Sequence, residues 1–229
     1  MAYAVKFQRE ETHRLVPTKY SESGSVLEKL NLPSEVLADL SEIDAATNDR
    51  KTAEQGGSLY IGPNELLMGV PEAQIVNAAF CHPGPGGSRF NDSHRGAWYA
   101  GVELETSMAE VAYHKKIFIR DSRIAEHIAA EYQDFLAGFD GMFHQLEPEE
   151  QAACLQPDPI PDCYAAGQKL ANVLLHSGSQ GIVYPSVRNF GGTYIACFRP
   201  AIILHPRRGA RYEITVEANT SHFTQREIS

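Results

Sequence analysis

Gly86-Gly87-Ser88-Arg89-Phe90-Asn91, then Trp98-Tyr99-Ala100, then Met108-Ala109-Glu110-Val111, is the run on which the fold turns. It reads as a glycine turn, a short apolar strand over 97–104 and a helix from 106 to about 117. A second run, Gly181-Ile182-Val183-Tyr184-Pro185-Ser186-Val187-Arg188 followed by Gly191-Gly192, reads as a buried strand that ends in a turn. Both place polar side chains at the ends of elements, set among glycines.

Working outward, short runs between Gly and Pro turns predict further strands over 58–61, 74–80, 128–135, 138–146, 193–198, 201–204 and 211–216. Asp162 is placed to cap a helix whose face is Ala166, Leu170, Val173 and Leu174, with Gly178 at its end. Residues 1–24 carry little periodic signal. Ser25 and Glu28 fit a capping box ahead of Val26, Leu27 and Leu30. Pro33 suits a first helical position, and Val36, Leu37, Leu40 and Ile43 predict an amphipathic helix from 33 to about 50. The expected fold is α+β: a helical N-terminal extension over 1–56 and a mainly antiparallel core over 57–229.

The bulk properties narrow the function classes. At 43% hydrophobic, the 229 residues can bury a sizeable core. The net charge of −9 and the lack of a long Lys/Arg run argue against nucleic acid as the main ligand. None of the four cysteines forms a C-x-x-C pair, and no histidine pattern matches H-E-x-x-H, so no metal is expected. The first eleven residues lack the apolar core of a signal peptide, and no apolar run approaches the ~18 residues of a membrane span. A cytoplasmic protein that touches no membrane is expected.

Five residues are candidates for chemistry. Arg89 beside its glycines offers a planar fork for a phosphate, against the plainer reading of a surface turn. Arg95 reads as part of an exposed loop. Tyr99 offers a ring to stack on a flat heterocycle, against ordinary strand packing, and Trp98 reads as a core anchor. Glu110 fits a capping box with Ser107, and in a first turn the helix dipole favours its ionised form. A carboxylate aimed into a cleft would stabilise a developing cation. From sequence, cap and catalyst both stand. Ser186 can bond a ligand or its own turn, and it lacks the G-x-S-x-G frame of a serine hydrolase. Arg188 is a second phosphate contact or an ion-pair partner. Glu147, Glu149 and Glu150 read as a solvated loop.

In order, these pieces resemble the RES domain of bacterial toxin–antitoxin pairs over about 78–217. Gly87-Ser88-Arg89-Phe90-Asn91 is similar to the family's Gly-Gly-Arg-Phe/Trp-Asn motif, Trp98-Tyr99-Ala100 to its Leu-Tyr-x-Ala strand, and Ala109-Glu110-Val111 to its Ala-x-x-Glu helix. Residues 181–192 and Phe198-Arg199-Pro200 resemble later family segments. The resemblance implies an ADP-ribosyltransferase-like fold and cleavage of the nicotinamide–ribose bond of NAD⁺. Water, phosphate or a protein would accept the ADP-ribose. It puts Arg89, Tyr99, Glu110 and Ser186 at family active-site positions, and it implies an Xre-like antitoxin as partner. Many members carry a further arginine on the first core strand; Ala79-Phe80-Cys81-His82 fills the region ahead of the glycine turn here, with His82 as a substitute. A non-enzymatic nucleotide-binding or partner-binding module and a ribonuclease-type toxin are the competing classes.

Overall fold

The computed structural model describes residues 2–21, 48–122, 127–217 and 222–228, with Pro33 and Val36. The capped helix expected at 25–30 lies outside these residues, as does nearly all of the one expected at 33–50. At the far end of that stretch, Asn48 takes the backbone N–H groups of Arg50 and Lys51 on its side chain and starts a separate helix, Asp49–Glu54.

The described elements run β1 (Tyr3–Pro17), α1 (Thr18–Ser21), α2 (Asp49–Glu54), α3 (Ala73–Cys81), β2 (Trp98–Gly101), α4 (Leu104–Asp121), β3 (His127–Gln145), α5 (Pro148–Cys154), α6 (Ala165–His176), β4 (Gly181–Pro185), β5 (Thr193–Cys197), β6 (Leu204–Glu217) and β7 (Phe223–Ile228). The fold is α+β with a mainly antiparallel sheet, as expected. The strand order is β1-β2-β5-β4-β3-β6-β7, and β1 also pairs with β3. Strands β1, β2, β5, β4 and β3 therefore form a closed ring, with β6 and β7 extending from β3. Among the described strands, only the short β3–β4 contact is parallel. Among the described residues, no helix is long and apolar enough to cross a membrane.

Several local expectations are corrected. Residues 74–80 are helical, not extended: α3 buries Ile75, Val76 and Phe80 at helical spacing. Residues 58–61 form a turn in which the Ser58 hydroxyl accepts the N–H groups of Tyr60 and Ile61. The two strands expected around 137 are one, because Gly138 marks an irregularity in the ladder and not a turn. A Cβ at Gly138 would come within 2.9 Å of the Glu10 carbonyl oxygen on β1. Residues 200–202 form a 3-10 turn, and β6 begins after it. On α6, Val173 is exposed; Gly167, Ala171 and Leu174 are the buried positions. Glu147 to Glu150 is no loop. Glu147 caps α5, and Glu150 receives the backbone N–H of Glu147 and that of Ala2.

The segment that showed no periodicity, β1, is a long strand of the sheet. Its ladder with β3 is interrupted between Arg9 and Thr12, which breaks the alternation. Ser107 fastens it from α4, donating to the His13 carbonyl at 2.5 Å and accepting the Gly101 N–H at 2.9 Å. His13 Nδ1 lies 2.7 Å from the buried Asp134 carboxylate of β3. Burial lowers the His13 pKa, but the hydrogen bond and charge of Asp134 outweigh it, and the net shift is upward. A raised folded-state value stabilises the fold fully below the unfolded value of about 6.5. That contribution is lost as pH rises through the folded value. The melting temperature should therefore fall between about pH 6 and 9 more steeply than in His13→Gln; parallel melting curves across that range would remove the pair from the account.

Candidate active site

The glycine turn is built for closure. Ser88 N–H donates to the Asn91 carbonyl at 2.8 Å. Gly87 has φ +67°, and a Cβ there would lie 2.2 Å from that same carbonyl oxygen. Its glycine serves the turn itself and leaves the close approach of a ligand unexplained. Helix α6 backs the turn: a Cβ at Gly167 would lie 2.3 Å from the Arg89 carbonyl oxygen, and Gln168 donates to the Gly86 and Ser88 carbonyls.

The turn aims Arg89 inward. Its residue exposure is 6%, and its Nη1 donates to the carbonyls of Cys154 and Gln156, both at 2.9 Å. The guanidinium packs 5.1 Å from the Tyr164 ring centre. The remaining donor edge makes no hydrogen bond within the described residues. Tyr99, on β2, accepts the Phe90 N–H at 2.8 Å and donates to Asn91 Oδ1 at 2.9 Å. Its hydroxyl is thus occupied, and the ring is what it offers to a ligand.

Glu110 is not a cap. Helix α4 starts at Leu104 after Glu103, which puts Glu110 in the second turn, and Ser107 is committed to His13 and Gly101. The helix-dipole argument for an ionised Glu110 falls with the cap. Burial pushes the Glu110 carboxyl above the usual range, while the nearby Arg188 and Arg89 pull it back. His114, one turn on, lies 3.9 Å from it. Desolvation, then the charges of Arg188 and Arg89, lower the His114 pKa, although more than half of its side chain is exposed.

Arg89, Tyr99 and Glu110 line one cavity of about 710 Å³, together with Ser88, His114, Tyr164, Tyr184 and Tyr194. That volume lies within the roughly 300–1,000 Å³ of small-molecule sites. Tyr184 and Tyr194 face each other across the β4–β5 ladder. Sequence reading passed over all three of these tyrosines, since they meet only when the ladder and α6 are in place.

Ser186 and Arg188 are not among the residues that line this cavity. The Ser186 hydroxyl accepts the N–H groups of Arg188 at 3.2 Å and Asn189 at 3.1 Å, so it shapes the loop that carries Arg188. Arg188 lies 3.3 Å from the centre of the Tyr113 ring and donates to the Pro157 carbonyl at 2.6 Å. Its charge still acts on Glu110 and His114. Arg95 is no exposed loop residue: it forms a two-pronged pair with Glu65 and is a structural tie.

Residues 67–217 match the family model described as the RES domain. The chain belongs to the RES-domain family. RES domains are associated with NAD-utilising toxins of toxin–antitoxin systems, and such toxins typically pair with antitoxins. Among curated proteins, none matches the chain. Residues 79–81 belong to α3, which ends before the exposed His82, so no core strand carries a further arginine there. Arg14, on β1, lies 4.8 Å from the Trp98 ring centre and donates to the Tyr99 carbonyl at 3.1 Å. Arg14 and His82 line a second cavity of about 620 Å³, which shares Tyr20, Ser88 and Tyr99 with the first.

Proposed function

We propose that this RES domain cleaves the nicotinamide–ribose bond of NAD⁺ and passes ADP-ribose to an acceptor. One observation carries the reading: a desolvated carboxylate, Glu110, shares an aromatic-walled cavity with the free edge of a buried arginine, Arg89. The diphosphate needs cations, and Arg89 supplies a fork while Arg188 adds charge from outside the cavity lining. The nicotinamide ring needs a flat wall, which Tyr99 supplies. The adjoining cavity with Arg14 takes the adenosine side of the molecule.

As the C1′–N bond breaks, its electron pair leaves on nicotinamide and neutralises the ring nitrogen. Positive charge then grows on C1′ and the ring oxygen. The Glu110 carboxylate, itself largely desolvated, opposes that charge, and a fixed charge acts more strongly where solvent is held off it. The acceptor oxygen forms the new bond to C1′ and releases its proton to solvent. Ser186 contributes by fixing the loop of Arg188. The chain acts as the toxin of a toxin–antitoxin pair, with an Xre-like antitoxin as its partner, in the cytoplasm.

Expression in bacterial cells should lower NAD⁺ or label protein with ADP-ribose, and it should stop growth until the antitoxin is co-expressed. Normal growth with unchanged NAD⁺ and no modified protein would defeat the toxin reading.

A further inference from the structure

Tyr184 is 3% exposed and is held edge-on by Phe90, with ring centres 4.8 Å apart, and by Tyr194, at 5.9 Å. Its hydroxyl makes no hydrogen bond within the described residues. Among the described residues, five side-chain polar atoms are sealed in protein without a partner: Arg14 Nε, Arg95 Nε, Trp98 Nε1, Asp134 Oδ1 and Arg188 Nε. The Tyr184 hydroxyl is not one of them, and the residue lines the cavity, so this hydroxyl opens into the cavity space. Of the other tyrosines of the wall, Tyr99 is bonded to Phe90 and Asn91, while the hydroxyls of Tyr132 and Tyr164, like that of Tyr184, make no hydrogen bond within the described residues. A nearly buried donor without a partner is rare and calls for one.

We infer that the Tyr184 hydroxyl is a substrate-binding donor which, with Glu110 as an acceptor on the same cavity, reads the vicinal diol of a ribosyl group. A diol is the group that suits such a pair, because each hydroxyl can give a proton to the carboxylate and take one from the phenol. Burial, then Tyr99 and the charge of Glu110, raise the Tyr184 phenol pKa, so it stays a proton donor at neutral pH, and both residues line the one cavity. The inference rests on the NAD⁺ reading and narrows it: the nicotinamide-side ribose is recognised by its hydroxyls, and deoxyribosyl analogues are discriminated against.

The test compares wild type and Tyr184→Phe on NAD⁺ and on analogues lacking the 2′- or the 3′-hydroxyl of the nicotinamide ribose. Wild type should lose about tenfold in kcat/KM on one analogue, the scale of a single neutral hydrogen bond. Tyr184→Phe should lose about as much on NAD⁺ and little more on that analogue, since both changes remove one bond. Its melting temperature should stay level or rise, because the hydroxyl removed has no protein partner. A lower melting temperature, or a mutant that discriminates the analogues as wild type does, overturns the inference and leaves the NAD⁺ reading standing. Wild type that neither binds nor consumes any of the three compounds overturns both.

Discussion

Glu110→Gln should lower NAD⁺ turnover by a factor of about 10²–10³, the usual cost of removing one preorganised electrostatic contact to a transition state. The affinity for NAD⁺ should fall far less than turnover, because the glutamine carbonyl still accepts from a ribose hydroxyl, whereas the charge that opposes the ribosyl cation is lost. Stability separates this from a structural role. Burial raises the Glu110 carboxyl pKa, so the folded state binds that proton more tightly than the unfolded chain. The penalty of ionising it is absent below the unfolded value of about 4.3 and is in force at pH 7. Glutamine carries no such penalty. The mutant should therefore melt at pH 7 no lower than wild type, and the acid limb of wild-type turnover should lie above the ordinary carboxylate range. A mutant with wild-type turnover and a lower melting temperature would make Glu110 a structural residue and put the binding-module reading ahead.

Arg89→Ala should weaken ADP-ribose binding by about 1.5–3 kcal/mol, the worth of a charge-assisted bond. In titration calorimetry that is roughly 10- to 150-fold in Kd. Stability should fall as well, by about 1–3 kcal/mol, because the carbonyls of Cys154 and Gln156 lose their shared donor. Arg89→Lys separates the two effects. It keeps the charge and loses the fork, and its affinity should fall between those of wild type and Arg89→Ala. Unchanged affinity in a folded Arg89→Ala would reduce Arg89 to a brace for the segment after α5.

The parts of the fold that were legible in sequence are those where one local signal acts alone. Turn, strand and helix follow in the expected order from Gly86 to Val111, and Trp98 is fully buried. The apolar strand before Ser186 is β4. The errors arise where tertiary context overrides the local signal. In β1 the irregular ladder removed the alternation by which the strand would have been read. In α3 the β-forming residues Ile75, Val76 and Phe80 suggested a strand, but Val76 and Asn77 lie four residues before Phe80 and Cys81 respectively, the spacing of a buried helix face. Gly138 looked like a turn and is a close crossing of β3 with β1.

The site shows the same division. Arg89, Tyr99 and Glu110 were legible because they lie close together in sequence on consecutive elements, and they share one cavity. The reasons given for them needed correction. Gly87 closes its own turn, and Glu110 owes its state to burial rather than to a helix end. The signal that would have found the tyrosine wall was weak but present. Tyr184 and Tyr194 sit in two strands joined by a turn at Gly191-Gly192, and a hairpin between them sets the two rings opposite each other.

The central claim is that Glu110 and its cavity break the glycosidic bond of NAD⁺. Purified protein incubated with NAD⁺, with and without phosphate and bacterial lysate, should release nicotinamide that chromatography detects, and Glu110→Gln should release about 10²–10³-fold less under the same conditions. No nicotinamide from folded wild-type protein under any of these conditions would contradict the account.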